Sequence, residues 1–168
     1  MTAYRCIVAD PPWWESGGGR IKRGADRHYP LLRTADIPGV MLAAPCWRPA
    51  ADCHLWMWTT NNRLANGEAL KVARALGFRP VTLLTWAKDR IGLGQYLRGQ
   101  TEHALFCVRG RLPALCRTQS TIVYAPRHAH SEKPQAFFDA AERVSPGPRL
   151  EMFARRTRPG WDSWGNEV

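Results

Sequence analysis

No stretch of the 168-residue chain is apolar for long enough to cross a bilayer, which argues against a helical membrane protein. There is no Cys-x-x-Cys pair either. The five cysteines, at positions 6, 46, 53, 107 and 116, lie on or beside apolar runs, so they read as buried reduced thiols of a cytoplasmic protein. A zinc site and a disulfide framework are thereby disfavoured. His28, His103, His128 and His130 stand on separate segments without acids at ligand spacing, so they read as satisfied or exposed side chains and no metal is expected. No internal repeat is visible. An apolar strand begins at Tyr4, which leaves no room for a secretory leader and predicts a soluble protein. Acidic side chains are scarce: 14 against 24 basic ones, a formal charge of +10. That imbalance points to a polyanionic partner, with nucleic acid first.

An apolar fraction of 45% over 168 residues predicts one globular domain spanning 1–168, with a core of two or three layers. Short apolar strands alternate with helical stretches, the pattern of an α/β domain whose sheet is mostly parallel. Strands are expected at Tyr4 to Ala9, Cys53 to Thr59, Val81 to Trp86, Glu102 to Val108 and Thr121 to Tyr124, with a last one at Leu150 to Phe153. Helices are expected from Thr34 to about Pro45, from Arg63 to Leu76 before Gly77, and from Lys133-Pro134 to Val144. Glycine-rich basic loops fill 14–27 and 88–100.

The first strand runs directly into Asp10-Pro11-Pro12-Trp13, and this turn carries most of the chemical information. An exocyclic amine such as adenine N6 is a poor nucleophile because its lone pair is delocalised into the ring. Two acceptors aimed at its two N–H bonds localise that lone pair. The Asp10 carboxylate supplies one acceptor and the Pro11 carbonyl a second, while the prolines stiffen the turn and bring no competing N–H. Trp13 offers a face on which a base stacks. The competing reading is a strand-ending turn with a core aromatic after it, since turn chemistry favours the same residues.

The remainder of the chain decides between these two. In order come Ile7-Val8-Ala9-Asp10-Pro11-Pro12-Trp13, His28-Tyr29, Leu55-Trp56-Met57-Trp58, Leu84-Thr85-Trp86-Ala87-Lys88 and Glu102-His103-Ala104-Leu105. The series continues with His130-Ser131-Glu132-Lys133-Pro134, Glu142 to Gly147, Glu151-Met152-Phe153-Ala154-Arg155, and Trp161 with Gly165-Asn166. Each string is weak alone, but their collinearity over nearly the whole length is specific. The chain resembles the adenine-N6 methyltransferases that include the catalytic subunit of the eukaryotic messenger-RNA N6-methyladenosine writer and many bacterial and phage enzymes.

That resemblance implies a Rossmann-like fold with helices on both faces of the sheet, S-adenosylmethionine as cofactor, and a permuted order in which the catalytic turn precedes the main cofactor strand. It implies Asp10, Pro11, Pro12 and Trp13 as the catalytic turn. Asp10, Lys133, Glu151, Phe153, Arg155, Asn166 and Glu167 are implied around the cofactor. Lys133 would meet the carboxylate of the cofactor's methionine portion as a mobile point charge. Arg155 would lie near the ribose, and Asn166 at the ribose or adenine end. Glu167 stands where the messenger-RNA enzymes often have Gln. Thr157-Arg158 departs from their His-Asn pair, and Arg156 and Arg158 could instead meet phosphate. Tyr29 occupies a position near the target base.

A paired adenine must be flipped out or met as a single strand, at roughly a few kcal/mol. The basic loops 15–28, 88–100 and 109–119 are expected to hold phosphates through Lys22, Arg23, Lys88, Arg90, Arg98, Arg109, Arg111 and Arg117. Either these loops read a short site, or the protein works as a homodimer or with a partner subunit. Methylation of adenine N6 in DNA is the leading expectation, because the chain is as compact as bacterial and phage modification enzymes. The alternatives are the same reaction on RNA and a catalytically silent nucleic-acid-binding subunit; the intact Asp10 turn with Lys133, Arg155 and Asn166 speaks against the latter.

Overall fold

The computed structural model describes residues 2–14, 31–92, 94, 96–127, 132–166 and 168. Seven strands form one sheet: β1 (Tyr4–Ala9), β2 (Pro49–Thr59), β3 (Arg79–Lys88), β4 (Thr101–Arg109), β5 (Ile122–Ala125), β6 (Arg149–Met152) and β7 (Asp162–Trp164). Among the described residues four helices accompany them: α1 (Ile37–Ala43), α2 (Asn61–Ala65), α3 (Glu68–Ala75) and α4 (Gln135–Val144).

The strand order is β5-β3-β4-β2-β1-β6-β7. The pairs β1–β2, β1–β6, β3–β5 and β6–β7 are parallel, whereas β4 runs antiparallel to both β2 and β3. The expected Rossmann-like sheet, mostly parallel and covered on both faces, is therefore present. Its two faces separate by residue parity, as the pleat requires. Ile7, Ala9, Leu55, Met57, Leu105 and Met152 pack with Ile37 and Met41 of α1 and Val72 of α3. Cys6, Val8, Trp56, Trp58, Trp86 and Ala104 pack with Phe137, Phe138 and Ala141 of α4. The second core is aromatic; Trp58 meets Phe137 at 4.6 Å and Trp86 edge-on at 6.4 Å between ring centroids. Burial of each such ring contributes on the order of 1.5–3 kcal/mol.

Because six of the seven strands point the same way, their carboxyl ends share one edge, joined there by the beginning of β4. The chain leaves β1 toward β2 on one side and later returns to β6 on the other. The crevice outside β1 and β6 is thus the switch point where ligands bind in open α/β sheets.

Two elements differ from the sequence reading. The helix expected over 63–76 is two helices, because Gly67 takes a left-handed φ of +76° that no helix interior contains. The last strand is not Leu150 to Phe153 but β7, three residues long, laid in parallel on β6. Cys6, Cys53 and Cys107 are buried as expected, while Cys46 and Cys116 are half-exposed. No helix among the described residues is long and apolar enough to cross a membrane.

Candidate active site

Asp10 comes directly after β1, and its N–H reaches Met152 O of β6 at 3.4 Å, so the turn sits on the crevice between these strands. Its carboxylate does not stand alone. Asp10 Oδ2 lies 2.8 Å from Lys133 Nζ, and the same ammonium lies 3.2 Å from Glu102 Oε2. Glu102 Oε1 in turn accepts from Lys88 Nζ at 2.5 Å. Four charges of alternating sign thus run along the carboxyl edge from β1, through the segment ahead of α4, to β4 and β3. Beneath them lie two indole faces, Trp58 at 5.1 Å from Lys133 Nζ and Trp86 at 4.8 Å from Lys88 Nζ.

The row is mostly buried: Lys133 retains 11% of its side-chain exposure and Lys88 13%. Burial penalises the charge on Lys133, yet Asp10 and Glu102 outweigh it and raise the ammonium's pKa above its ordinary value. Burial likewise opposes ionisation of Glu102, and Lys133 with Lys88 overcomes it, so this carboxyl titrates below its usual range. Lys133 and Glu102, the centre of the row, are therefore both charged at neutral pH. Glu102 was not among the residues expected in the site. Its signal in the sequence is its place in the Glu102-His103-Ala104-Leu105 string, as an acid opening an otherwise apolar strand.

Pro11, Pro12 and Trp13 keep the Asp10 turn in place. The Pro11 carbonyl accepts Trp13 N–H at 2.9 Å, and the Pro12 carbonyl accepts Leu32 N–H at 2.8 Å. The Pro11 oxygen expected to face the amine thus already holds one hydrogen bond and has one lone pair for another. Trp13 corrects the expectation of an open stacking face. It is 7% exposed, packed in the core of the α1 face, and its indole N–H is spent on Trp58 O at 2.9 Å. The exposed indole is its neighbour Trp14, at 49%. Both stems of segment 15–30 are fastened. Trp14 N–H bonds Leu32 O at 2.9 Å, Arg63 donates to Trp14 O, and Thr34 donates to Glu68, which pairs with Arg63 at 2.5 Å. Tyr29, Lys22 and Arg23, like His28, His128, His130 and Glu167, lie outside the described residues.

On the other side of the crevice, Glu151 of β6 stands one strand from Val8, on the same face as Asp10. Burial raises its pKa, Arg158 counters that, and the Asp10 charge adds to the rise. Glu151 Oε2 is buried and, among the described residues, has no hydrogen-bond partner. Arg158 Nε lies 3.6 Å from it, its guanidinium stacks 3.4 Å above Phe138, and it donates to Gln135 Oε1 at 2.7 Å. Arg158 is accordingly an internal counterion, and the expectation that it meets phosphate is corrected. Arg156 pairs with Glu132 at 2.6 Å. Phe153, just past β6, has a positive φ of 60° and packs edge-on against Trp164 of β7. Ala154 N–H bonds Trp164 O at 2.9 Å, and a Cβ on Gly165 would come within 2.1 Å of Ala154 O. Only glycine allows the turn carrying Asn166 to lie so close to the strand end. Asn166 is exposed and Arg155 half-buried.

Lys88 belongs to the site, and exposed Arg98 and Arg90 sit on the β3–β4 connection at the same edge. Arg109 and Arg111 do not. Because β4 runs antiparallel, it ends at the opposite edge and carries them away from Asp10. His103 accounts for both its nitrogens, with Thr85 Oγ1 at 2.9 Å and Thr101 Oγ1 at 3.4 Å. Among the described residues no group of three His, Cys, Asp or Glu stands as a metal site.

The MT-A70 family profile matches residues 4–167. The chain is 30% identical over 192 residues to the Type II methyltransferase M.MunI of a Mycoplasma species, covering 98% of this chain and 78% of that protein. It is 29% identical to the human N(6)-adenine-specific methyltransferase METTL4 and 25% identical to the human N(6)-adenosine-methyltransferase catalytic subunit METTL3, again over 98% of its own length. It spans 37% and 28% of those two relatives. The chain belongs to the MT-A70 family.

Proposed function

We propose that this member of the MT-A70 family is an adenine-N6 methyltransferase that takes its methyl group from S-adenosylmethionine and acts on DNA. The observation that carries the reading is the Asp10 carboxylate, held at the switch-point crevice by the ammonium of Lys133. An ion-paired carboxylate is fixed in place, which is what an acceptor for an amine N–H requires.

Asp10 receives one N–H of the adenine amine, and the remaining lone pair of the Pro11 carbonyl receives the other. Lys133 holds the carboxylate in position, and Glu102 with Lys88 balances that lysine. Asp10 is an orienter and not a strong base: an amine that has just gained a methyl group and a positive charge is acidic enough to release its proton to water. The main task is alignment for in-line displacement.

The crevice fits the cofactor by its donor set. Glu151 presents a buried carboxylate oxygen that lacks a hydrogen-bond donor among the described residues, and ribose hydroxyls are donors. Glu151, Phe153, Arg155 and Asn166 would hold the nucleoside end, with Glu167 beside them in the sequence. Lys133 would attract the carboxylate of the methionine end. When bound, the sulfonium supplies an electrophilic methyl group, so no metal is required.

DNA is favoured over RNA by likeness to M.MunI, a Type II methyltransferase of which the chain spans 78%. Arg98 at the reaction edge, with Lys22 and Arg23, would contact phosphate, and Tyr29 would contact the base; Lys88, expected with them, is instead buried and paired with Glu102. Trp14 replaces Trp13 as the accessible stacking face beside the turn. Partner subunits and a homodimer remain compatible with this reading. Replacing Asp10 with Ala tests it: methyl transfer should vanish while cofactor binding persists, and a variant that still methylates adenine would overturn Asp10's role.

A further inference from the structure

The charge of this chain is unevenly compensated between the two edges of its sheet. At the reaction edge most basic groups are met by acids: Lys88 by Glu102, Lys133 by Asp10 and Glu102, Arg90 by Asp89, Arg156 by Glu132 and Arg158 by Glu151, with exposed Arg98 and Arg127 outside these salt bridges. Among the described residues the opposite edge carries a row of five arginines outside any salt bridge. Arg79 opens β3, Arg109 ends β4 and Arg111 lies in the turn after it, Arg48 precedes β2, and Arg5 is the second residue of β1. Arg5, Arg79, Arg109 and Arg111 are exposed. A sixth, Arg149 at the start of β6, is tied to the carbonyls of Glu142 and Ser145 and is not part of the row. The acids at this edge are engaged with neutral groups: Asp52 accepts Arg111 N–H at 2.7 Å, Asp162 accepts the Tyr4 hydroxyl at 2.6 Å, and Glu142 accepts the Trp161 indole N–H at 2.7 Å.

We infer that this arginine row binds the phosphate backbone of a second nucleic-acid segment, separate from the one that presents its adenine to Asp10. Strands β3, β4, β2 and β1 are adjacent in that order. At about 4.8 Å per strand the row extends about 14 Å, a length of duplex that carries roughly eight phosphate charges. Every member is arginine, whose planar fork matches a phosphate in two hydrogen bonds. The separation is set by β4, whose Thr101–Arg109 span corresponds to about 27 Å between the two edges. A segment seated at the Asp10 crevice would have to bend around the sheet to reach these arginines. The row therefore serves general affinity and transfer between segments, and leaves the reaction itself unaffected. The inference rests on the reading that the protein works on nucleic acid.

The test compares the wild type with a triple variant, Arg79→Gln, Arg109→Gln and Arg111→Gln, and with the matching Arg→Lys triple. Affinity for a labelled duplex is measured by fluorescence anisotropy at several salt concentrations, beside methyl transfer to a short single strand. Each lost phosphate contact lowers the salt slope by about 0.9, so the Gln triple should lose about 2.7 and bind at least about ten-fold more weakly at moderate salt. The Lys triple, which keeps the charges, should keep the wild-type salt slope, and methylation of the short strand should be unchanged in both.

A Gln triple with the wild-type slope overturns the inference, as does a Lys triple that binds as weakly as the Gln triple. Loss of binding to phosphatidylserine vesicles with duplex affinity intact would assign the row to a lipid surface and also overturn it. A wild type that methylates no nucleic acid, with the slope still falling in the Gln triple, would sink the proposed activity and leave this surface standing.

Discussion

Replacing Lys133 with Met removes one cation from a buried row of four charges, and the distances set the consequences. Lys133 Nζ serves two carboxylates, Asp10 at 2.8 Å and Glu102 at 3.2 Å. Lys88 still faces Glu102, whereas Asp10 loses the ammonium that faces it. Deleting one partner of a buried ion pair costs about 3–5 kcal/mol. For a chain of this length each kcal/mol moves the melting temperature by roughly 2–4 °C, so the variant should melt about 6–20 °C lower. The pH dependence of stability supplies a second readout. Lys133 contributes more than Lys88 to holding the Glu102 carboxyl below its usual range, so removing it takes away stability that is present above the ordinary carboxylate range and lost as pH falls. The variant's melting temperature should therefore fall less steeply on acidification than that of the wild type, while Lys133→Arg keeps the wild-type profile. An unchanged melting temperature together with an unchanged pH profile would refute the proposed charge row.

Ser145→Ala should destabilise by about 2–4 kcal/mol in urea denaturation, because the Ser145 hydroxyl accepts Trp56 N–H at 2.9 Å and faces His54 Nδ1 at 2.9 Å in a fully buried setting. Arg158→Met should cost about 3–5 kcal/mol by leaving buried Glu151 without its cation; a melting temperature within a degree of the wild type would contradict this. Burial holds the pKa values of His54 and His103 below the ordinary 6.5. The unfolded chain therefore takes up protons first, so the contribution of these residues is fully present above about 6.5 and is lost as pH falls toward their folded values. Urea midpoints measured from pH 7.5 down to 5 should decline accordingly.

The sequence was most informative where one residue pattern decides one element. The apolar runs at Tyr4, Cys53 and Glu102 mark β1, β2 and β4, and Gly77, with φ +81°, ends the second helical stretch as expected. β7 escaped notice because three residues with two polar members show no periodicity; only pairing to β6 makes them a strand. The break at Gly67 was hidden because a lone glycine is tolerated in a helical pattern. Asp10 and Lys133 were both legible as site residues, but their contact joins segments far apart in the chain, as does the bridge through Glu102. Strand direction decides where the basic loops stand. Arg109 and Arg111 come at the end of a strand that runs against its neighbours, so they lie at the edge away from Asp10, a placement that the sequence pattern does not give.

The central claim is tested most directly by incubating the wild-type protein with S-adenosylmethionine carrying a labelled methyl group and matched adenine-containing DNA and RNA, single- and double-stranded. The nucleic acids are then digested to nucleosides and resolved by mass. The account predicts labelled N6-methyldeoxyadenosine from DNA, abolished by Asp10→Ala. Label confined to RNA would move the substrate to the other nucleic acid, and cofactor binding with no methylated nucleoside from any substrate would contradict the account.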